Sequence, residues 1–239
     1  MVGAVAAGVL TLALSGCGVS GGSPTPAATP TTTPAPSTAP GLRYVALGDS
    51  YTIGTSVEPP ERFPDQLVRA LGSEELVVQI VANLGVNGYT STDLIRYELP
   101  ALDALEPDFA TVLIGVNDVV QGVAIETYEA NVVTILDALL ARLPARRIVT
   151  VAIPDYTVTP AGADYGDPTQ QHDAIAANNA VMERLARERG IAFVDIFDLS
   201  LLAADDRSLV AADGLHPSGA QYALWAERLK PVVEALLSH

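Results

Sequence analysis

Four short segments of the sequence hold the side chains that acyl transfer requires. They are residues 48–50 (GDS), 83–91 (NLGVNGYTS), 115–118 (GVND) and 213–219 (DGLHPSG). Each segment alone is common, and a Gly-Asp-Ser tripeptide occurs by chance in about one chain in twenty of this length. Together the segments offer a hydroxyl, an imidazole, a carboxylate and amide donors. These are the groups that hydrolyse an ester without a metal or a cofactor.

The sequence "YVALGDSYTIG" runs an apolar strand pattern directly into Ser50. Taken alone, this pattern fits an ordinary turn as well as a presented nucleophile. A serine hydroxyl must lose its proton as it attacks, so it needs a neutral imidazole within hydrogen-bond reach. His216 is the candidate base. Asp213, three residues earlier in a turn with Gly and Pro, would hold the tautomer of that imidazole.

An ester carbonyl that is attacked develops a negative oxygen, which needs preorganised hydrogen-bond donors. Gly88 follows the second predicted strand and would offer a backbone N–H. Asn117 follows the third predicted strand and would offer a side-chain amide. With the N–H of Ser50, these groups form the predicted oxyanion hole.

The choice of His216 as the base rests on comparison with the other histidines. The chain has three histidines, and His239 is its last residue. His172 lies in the polar stretch 162–173, where only the adjacent Asp173 could serve as a carboxylate partner at short range. His216 has a carboxylate three residues away and is therefore the preferred base.

Short apolar segments rich in Val and Ile alternate with amphipathic segments from residue 43 onward. The predicted strands are 43–47, 76–82, 109–114, 147–153 and 191–196. The predicted helices are 62–71, 91–105 (broken near residue 100), 124–142, 173–189 and 217–237. Continuous apolarity is typical of parallel strands buried on both faces, so the pattern predicts a three-layer α/β/α sandwich with a five-stranded parallel sheet. Such sheets bind ligands at the carboxyl ends of their strands, where three of the four segments lie.

The order and content of the four segments resemble the SGNH hydrolases, also called the GDSL esterase/lipase family. The family's Ser, Gly, Asn and His match Ser50, Gly88, Asn117 and His216. The family's Asp-x-x-His segment matches Asp213. The resemblance implies a flavodoxin-like fold, a serine esterase activity, no cofactor, no metal and a small ester as substrate.

The resemblance extends over about residues 43–237 and departs from the family name at Tyr51, where Leu is expected. The family covers short-chain esters, lysophospholipids, thioesters and acetylated carbohydrates. We expect a short acyl ester first, a lysophospholipid or thioester next and an acetylated carbohydrate third. The stretch 155–172 lacks helical periodicity, and its Tyr156 and Tyr165 either wall an acyl or alcohol pocket or lie on plain surface. A non-catalytic lipoprotein that binds cell-envelope ligands on a degenerate scaffold is the alternative from another class.

Composition excludes several other classes of function. The net charge is −15, and so acidic a domain repels phosphate backbones and anionic headgroups. Zinc-type His/Cys spacing, a P-loop, a GxGxxG pattern and the G-x-S-x-G elbow are missing from the sequence. We therefore expect no nucleic-acid partner, and the sequence does not indicate an oligomeric state.

The N-terminal segment predicts export. Residues 1–17 are predicted to form a signal peptide, in which the apolar run 2–14 leads into Leu-Ser-Gly-Cys, a segment that resembles a bacterial lipobox with Cys17 as the lipidated residue. No basic residue precedes the run, and an ordinary cleaved signal peptide is the alternative. Residues 18–41 form a tether rich in Pro, Thr, Ser and Gly, and 42–239 the hydrolase domain. The expected location is the cell envelope through a lipid anchor, or the secreted fraction.

Overall fold

A computed structural model describes residues 41–72 and 76–238 of the chain. Within these ranges the strands form one parallel sheet, with the order β2-β1-β3-β4-β5. The strands are β1 (Leu42–Gly48), β2 (Val78–Asn83), β3 (Phe109–Leu113), β4 (Ile148–Val151) and β5 (Ala192–Val194). This is the flavodoxin-like order of a doubly wound sheet, and it confirms the predicted α/β/α class.

Helices cover both faces of this sheet. They are α1 (Ser50–Ile53), α2 (Phe63–Leu71), α3 (Ser91–Asp93), α4 (Leu102–Leu105), α5 (Val116–Val120), α6 (Ile125–Leu140), α7 (Pro168–Glu188), α8 (Phe197–Leu201) and α9 (Gly219–Leu237). A π-helical turn spans Leu94–Glu98, and 3₁₀ turns span Pro59–Glu61, Leu99–Ala101, Ala145–Arg147, Gly162–Tyr165, Leu202–Ala204 and Arg207–Leu209. Helix α2 packs on α9, and α6 packs on α7. The crossover from β1 to β2 runs along the sheet in the opposite direction to those from β3 to β5, so right-handed connections place these helix pairs on opposite faces.

The central strands are buried on both faces, which explains their continuous apolar sequences. Residues 44–48 of β1 and all of β3 and β4 are buried. The polar groups inside this layer are paired, as in the 2.6 Å hydrogen bond between the hydroxyls of Tyr44 and Thr111. In α9, the fully buried Trp225 packs edge-on against Tyr222, with ring centroids 5.0 Å apart. The sheet is therefore a rigid platform for the loops at its carboxyl edge.

Two helical predictions differ from the structure. The segment 91–105 is not one helix with a single break but a succession of α3, the π-helical turn, a 3₁₀ turn and α4. Pro100 lacks the N–H that an uninterrupted helix needs there. Helix α7 begins at Pro168 rather than at 173, so the end of the stretch 155–172 is helical. Asp167 caps this helix by accepting a 2.9 Å hydrogen bond from the N–H of Gln170, and Asp-Pro is a recognisable start signal.

The predictions that concern membranes fall almost entirely outside the described residues. The signal peptide, Cys17 and the tether up to residue 40 all lie in the part of the chain that the structure does not describe. Over residues 41–72 and 76–238, none of the helices combines the length and the apolarity needed to cross a bilayer.

Candidate active site

Ser50 is the first residue of α1 and follows the end of β1 after a tight turn. Gly48 has a φ of +150°, and a Cβ there would lie 2.1 Å from the carbonyl oxygen of Leu113 on β3, so only glycine fits. Asp49 caps α1 by accepting a 3.0 Å hydrogen bond from the N–H of Tyr51. This turn places Ser50 at the carboxyl edge of the sheet, where it is 6% exposed.

The side chain of Ser50 faces a pocket of about 220 Å³. Gly88, Asn117 and His216 line the same pocket, so the structure brings together four of the predicted site residues. The rest of the lining is mainly apolar or aromatic, and the described residues that form it include no Lys, Arg, Asp or Glu side chain. A pocket with few polar groups in apolar walls is the usual form of a small-molecule site.

The imidazole in the pocket is fixed by a carboxylate. His216 Nδ1 lies 2.6 Å from Asp213 Oδ2. Asp213 Oδ1 accepts hydrogen bonds from the N–H groups of Leu215 (2.9 Å) and His216 (3.0 Å). With Asp213 ionised, the imidazole proton lies on Nδ1, and Nε2 is left without a proton. Asp213 thus fixes the orientation and the tautomer of an imidazole that lines the pocket.

The Asp213 carboxylate is held in its ionised form. Partial burial acts to raise its pKa, but hydrogen bonds from Ser56, Leu215 and His216 outweigh that effect and lower the pKa to about 2. The Ser56 hydroxyl donates to Asp213 Oδ2 over 2.7 Å, at the same oxygen that receives His216 Nδ1. No sequence pattern points to Ser56, because 157 residues separate it from Asp213.

Asn117 and Gly88 lie side by side as donors. One proton of the Asn117 amide is used in a 2.9 Å hydrogen bond to Tyr89 O, and the second is left for a ligand. Gln121 donates to Gly88 O over 3.0 Å and so fixes the loop from the other side. Among the described residues, no acceptor takes the N–H of Ser50 or of Gly88. Three donors are therefore available to an oxyanion in this pocket.

Two acid and amide side chains hold the donor loop in place. Asp118 accepts hydrogen bonds from both the N–H and the hydroxyl of Ser91, which ends the loop after β2. Asn83 donates to Thr52 O in α1 over 2.7 Å and so joins that loop to the nucleophile helix. Asn83 was not among the predicted site residues, although an Asn at a strand end is a common loop-fixing residue.

An aromatic ring supports the imidazole. The ring of Tyr51 lies 5.2 Å from that of His216 and 6.4 Å from that of Trp225. Tyr51 therefore packs the base against the core at the position where the family name has Leu. Within the described part of the chain, no hydrogen bond joins Ser50 Oγ to His216. Such contacts commonly tighten only when substrate is bound.

His172 has a partner that the sequence analysis did not find. Its Nδ1 lies 2.5 Å from Asp155 Oδ2, a buried carboxylate 17 residues earlier, and not beside Asp173. His172 does not line the pocket of Ser50. This contact and the 2.6 Å hydrogen bond from Tyr156 to Gln171 instead attach the pocket wall to α7.

Two buried acids lie beneath the nucleophile turn. Glu98 Oε2 accepts a 2.9 Å hydrogen bond from Gly48 N–H, while its Oε1 and Asp49 Oδ2 are buried with no hydrogen-bond partner among the residues that the structure describes. Burial raises the pKa of Asp49 to about 8 and the pKa of Glu98 to about 9, and the charge of Asp49 adds to the shift at Glu98. At neutral pH these groups are mainly protonated, so the nucleophile turn rests on uncharged acids.

The acidic loop before the base does not form a metal site. In residues 41–72 and 76–238, no three or more His, Cys, Asp or Glu side chains are grouped so that they could hold a metal ion. Asp206 instead accepts hydrogen bonds from the N–H and the hydroxyl of Ser208.

The fold is shared with solved hydrolase structures. Axe2, an acetylxylan esterase from Geobacillus stearothermophilus, aligns with a TM-score of 0.65 and 21% identity over 81% of this chain and 94% of its own. LAE5, an α/β hydrolase enzyme from the metagenome of Lake Arreo, Spain, aligns with a TM-score of 0.62 and 20% identity over 82% of this chain and 96% of its own. TesA aligns with a TM-score of 0.63 and 20% identity over 82% of this chain and 99% of its own. No curated protein sequence matches the chain.

The sequence itself matches a family model. The match covers residues 46–224, which include the nucleophile turn, both donor segments and the loop with the acid and the base. Its description is the GDSL-like lipase/acylhydrolase family. With more than half of its length matched and with the fold of this group, the chain belongs to the GDSL-like lipase/acylhydrolase family of hydrolases.

Proposed function

We propose that this protein hydrolyses carboxylic esters with short acyl groups through an acyl-enzyme on Ser50. The observation that carries the proposal is the meeting of Ser50, Gly88, Asn117 and His216 in one pocket, with Asp213 2.6 Å from the base. Each of these groups has a separate task in acyl transfer, and the geometry supports all of them together.

The first half of the reaction forms the acyl-enzyme. Ser50 Oγ attacks the ester carbonyl carbon while its proton passes to His216 Nε2, and Asp213 stabilises the imidazolium that results. The carbonyl oxygen becomes an oxyanion that accepts hydrogen bonds from Asn117 Nδ2 and from the N–H groups of Gly88 and Ser50. The tetrahedral intermediate then collapses. The C–O bond to the alcohol breaks, and His216 gives its proton to the leaving oxygen.

The second half of the reaction releases the acid. A water molecule attacks the acyl carbon as it gives a proton to His216 Nε2, and the same donors bind the second oxyanion. The bond to Ser50 Oγ breaks, and the serine takes the proton back from His216. The products are one carboxylic acid and one alcohol, and the enzyme returns to its initial state.

The pocket favours short, uncharged acyl groups. Its volume of about 220 Å³ is below the range of about 300–1,000 Å³ that holds drug-sized ligands. Val116, Val120 and Leu215 supply apolar wall, and no cationic side chain is present to bind a phosphate group. The net charge of −15 further disfavours anionic substrates. Lysophospholipids and charged thioesters therefore rank below neutral esters.

Deacetylation of a carbohydrate is the second candidate. Tyr165 lines the pocket but is 42% exposed, and it packs edge-on against Tyr156 with ring centroids 5.8 Å apart. An exposed aromatic ring beside a small acyl pocket can stack on a sugar while the acetyl group enters the pocket. The structural similarity to an acetylxylan esterase agrees with this candidate but establishes the fold only.

Labelling with a fluorophosphonate tests the proposed activity. The wild-type protein should gain one phosphonyl adduct by intact mass, peptide mapping should place it on Ser50, and the Ser50→Ala variant should gain none. The wild type should also hydrolyse p-nitrophenyl acetate, and the variant should lose at least about 10³-fold in kcat. An unlabelled, inactive wild type would indicate a non-catalytic binding lipoprotein, and an active Ser50→Ala variant would refute the acyl-enzyme.

We also propose that the protein is exported and held at the cell envelope by a lipid on Cys17. The support is the sequence pattern alone: an apolar run, then Leu-Ser-Gly-Cys, then a tether rich in Pro and Thr. Metabolic labelling with an alkyne fatty acid should tag the wild type and not a Cys17→Ala variant. Labelling of both, or of neither, would contradict the anchor.

A further inference from the structure

Ser56 makes a contact in the catalytic centre that the reaction scheme does not use. Its hydroxyl donates to Asp213 Oδ2 over 2.7 Å, and the same oxygen receives His216 Nδ1 over 2.6 Å. Ser56 does not line the pocket, so it touches the acid and not the substrate. The hydroxyl is therefore placed to set where that oxygen points.

The backbone at Ser56 is held in an unfavourable conformation. Its φ is +67°, in the left-handed region that residues other than glycine seldom occupy. Glycine would be the unstrained choice at this place, and a non-glycine residue there commonly marks a functional requirement. The side chain of Ser56 makes its hydrogen bond through the hydroxyl, which donates to Asp213. The strained backbone at Ser56 therefore carries a hydroxyl, which a glycine at this position could not supply.

The neighbouring residue ties the same turn to the oxyanion loop. Thr55 Oγ1 donates to Asn87 Oδ1 over 2.6 Å, and Asn87 lines the pocket next to Gly88. The N–H of Thr55 donates to Ser50 O over 3.0 Å. The turn after α1 thus contacts the nucleophile, the donor loop and the loop that carries the base.

We propose that Ser56 is a positioning residue, whose hydroxyl holds the Asp213 carboxylate in register with His216 and joins the base to the turn of the nucleophile. This inference rests on the proposed function of the site. The other hydrogen bonds to Asp213 among the described residues come from its own loop, from the N–H groups of Leu215 and His216 and from the His216 imidazole. Ser56 supplies the one contact to that carboxylate, among the described residues, from the part of the chain that carries Ser50. Removal of the hydroxyl should let the acid and base move relative to the nucleophile.

Two variants separate the hydroxyl from the backbone conformation. Ser56→Ala removes the hydroxyl and keeps the strained φ, while Ser56→Gly removes the hydroxyl and relieves the strain. Both variants should lose about tenfold in kcat for p-nitrophenyl acetate and in the rate of fluorophosphonate labelling, with KM changed by less than about twofold. In urea unfolding, Ser56→Gly should be at least as stable as the wild type. Ser208→Ala, which removes another exposed seryl hydroxyl from a carboxylate (Asp206), is the matched control and should keep the wild-type kcat.

A readout that does not depend on turnover is the downfield proton resonance of His216 Nδ1–H. This resonance should shift or broaden in both Ser56 variants and remain unchanged in Ser208→Ala. Wild-type kcat in Ser56→Gly would overturn the inference, because the hydroxyl would then be dispensable. If the wild type neither reacts with the fluorophosphonate nor hydrolyses esters, the proposed function fails, and an unchanged resonance in the Ser56 variants would separately refute the positioning role.

Discussion

Asn117 Nδ2 donates a 2.9 Å hydrogen bond to Tyr89 O. This contact joins the segment after β3 to the loop after β2, and it orients the amide so that its second proton is left for a ligand. The two segments come from strands on either side of β1, which carries the nucleophile. A single amide thus both holds the donor loop and offers a donor to the proposed oxyanion hole.

Replacing Asn117 with Ala should lower kcat about 10²- to 10³-fold, because a preorganised donor to the oxyanion is lost. KM should change much less, since the donor acts mainly in the transition state. Steady-state kinetics with p-nitrophenyl acetate measure both constants. Gln79→Ala, which removes an exposed amide on β2, is the control and should behave as wild type. Equal losses in kcat and in 1/KM would contradict the assignment to the oxyanion hole.

Asp213→Asn should lower kcat about 10³-fold or more, because an amide can stabilise the wrong imidazole tautomer. The pKa of Asp213 is lowered to about 2, so its carboxylate is charged at every pH above about 4. The negative charge is lost only as the pH falls through about 2. The wild-type activity between about pH 5 and 9 should therefore show no titration of this acid.

The control for Asp213→Asn is Asp206→Asn. Asp206 is an exposed acid that, like Asp213, accepts hydrogen bonds from a backbone N–H and from a serine hydroxyl. At Asp206 both come from Ser208. The pKa of Asp206 is also lowered by those two bonds. Its variant should keep wild-type kcat, and a comparable loss in both variants would point to disruption of the loop instead of the tautomer.

Glu98→Gln should make the stability of the protein less sensitive to pH. Burial raises the pKa of Asp49 to about 8 and that of Glu98 to about 9, from about 4 in the unfolded chain. At pH values between about 4 and about 9, the folded state binds more protons at these two acids than the unfolded state does. The free energy of unfolding therefore falls as the pH rises from about 4 to about 9, and it levels off above that.

Glu98→Gln removes the titration of Glu98 and the negative charge that would oppose ionisation of Asp49. The Gln side chain can still accept the hydrogen bond from Gly48 N–H. At about pH 9 the variant should be more stable than the wild type by about 1–3 kcal/mol, and at about pH 5 the two should differ little. Urea unfolding at about pH 5, 7 and 9 measures this. The exposed Glu227→Gln should follow the wild-type curve, and a wild type whose stability rises from about pH 5 to 9 would refute the prediction.

Tyr165→Ala should shift the preference toward longer acyl chains. The wild type should prefer p-nitrophenyl acetate and butyrate over octanoate and dodecanoate, because the pocket is small and walled. Removing the ring at the open side should raise the octanoate-to-acetate ratio of kcat/KM by about threefold or more. Tyr97→Ala removes an exposed ring that does not line the pocket and should leave the ratio unchanged. An unchanged ratio in Tyr165→Ala would place the acyl chain elsewhere.

Sequence patterns predicted the parts of the site that are local in the chain. The strand that stops at Gly48 indicated Ser50 once the other three segments were taken with it, and the spacing of Asp213 and His216 indicated a pair that forms within one turn. The alternation of strands and helices predicted the five-stranded parallel sheet, and the family resemblance implied its flavodoxin-like fold. These features depend on neighbours a few residues apart, which periodicity and spacing report directly.

Contacts between distant segments were not predictable in the same way. Ser56 and Asp213 are 157 residues apart, and Gly48 and Glu98 are 50 apart. The partner of His172 came from a loop 17 residues earlier, which no helical or strand spacing singles out. Such pairs depend on how loops pack over the folded sheet, and one sequence carries no periodic signal of that packing.

The loop that carries Asp213 and His216 is attached to the fold differently from the rest of the site. Ser50, Gly88 and Asn117 follow adjacent strands, whereas this loop follows no strand of the sheet. Within the described residues, the loop is held by the bridge between Val210 and Pro217 and by backbone bonds within itself, such as Ala211 N–H to His216 O over 2.7 Å. One backbone bond in the described part of the chain joins it to another segment, from Ala161 N–H to Gly214 O over 2.9 Å. A segment held mainly by bonds within itself opens at a lower free energy than the sheet. On heating, turnover should therefore disappear before the fold does, and activity should return on cooling as long as the sheet has stayed intact.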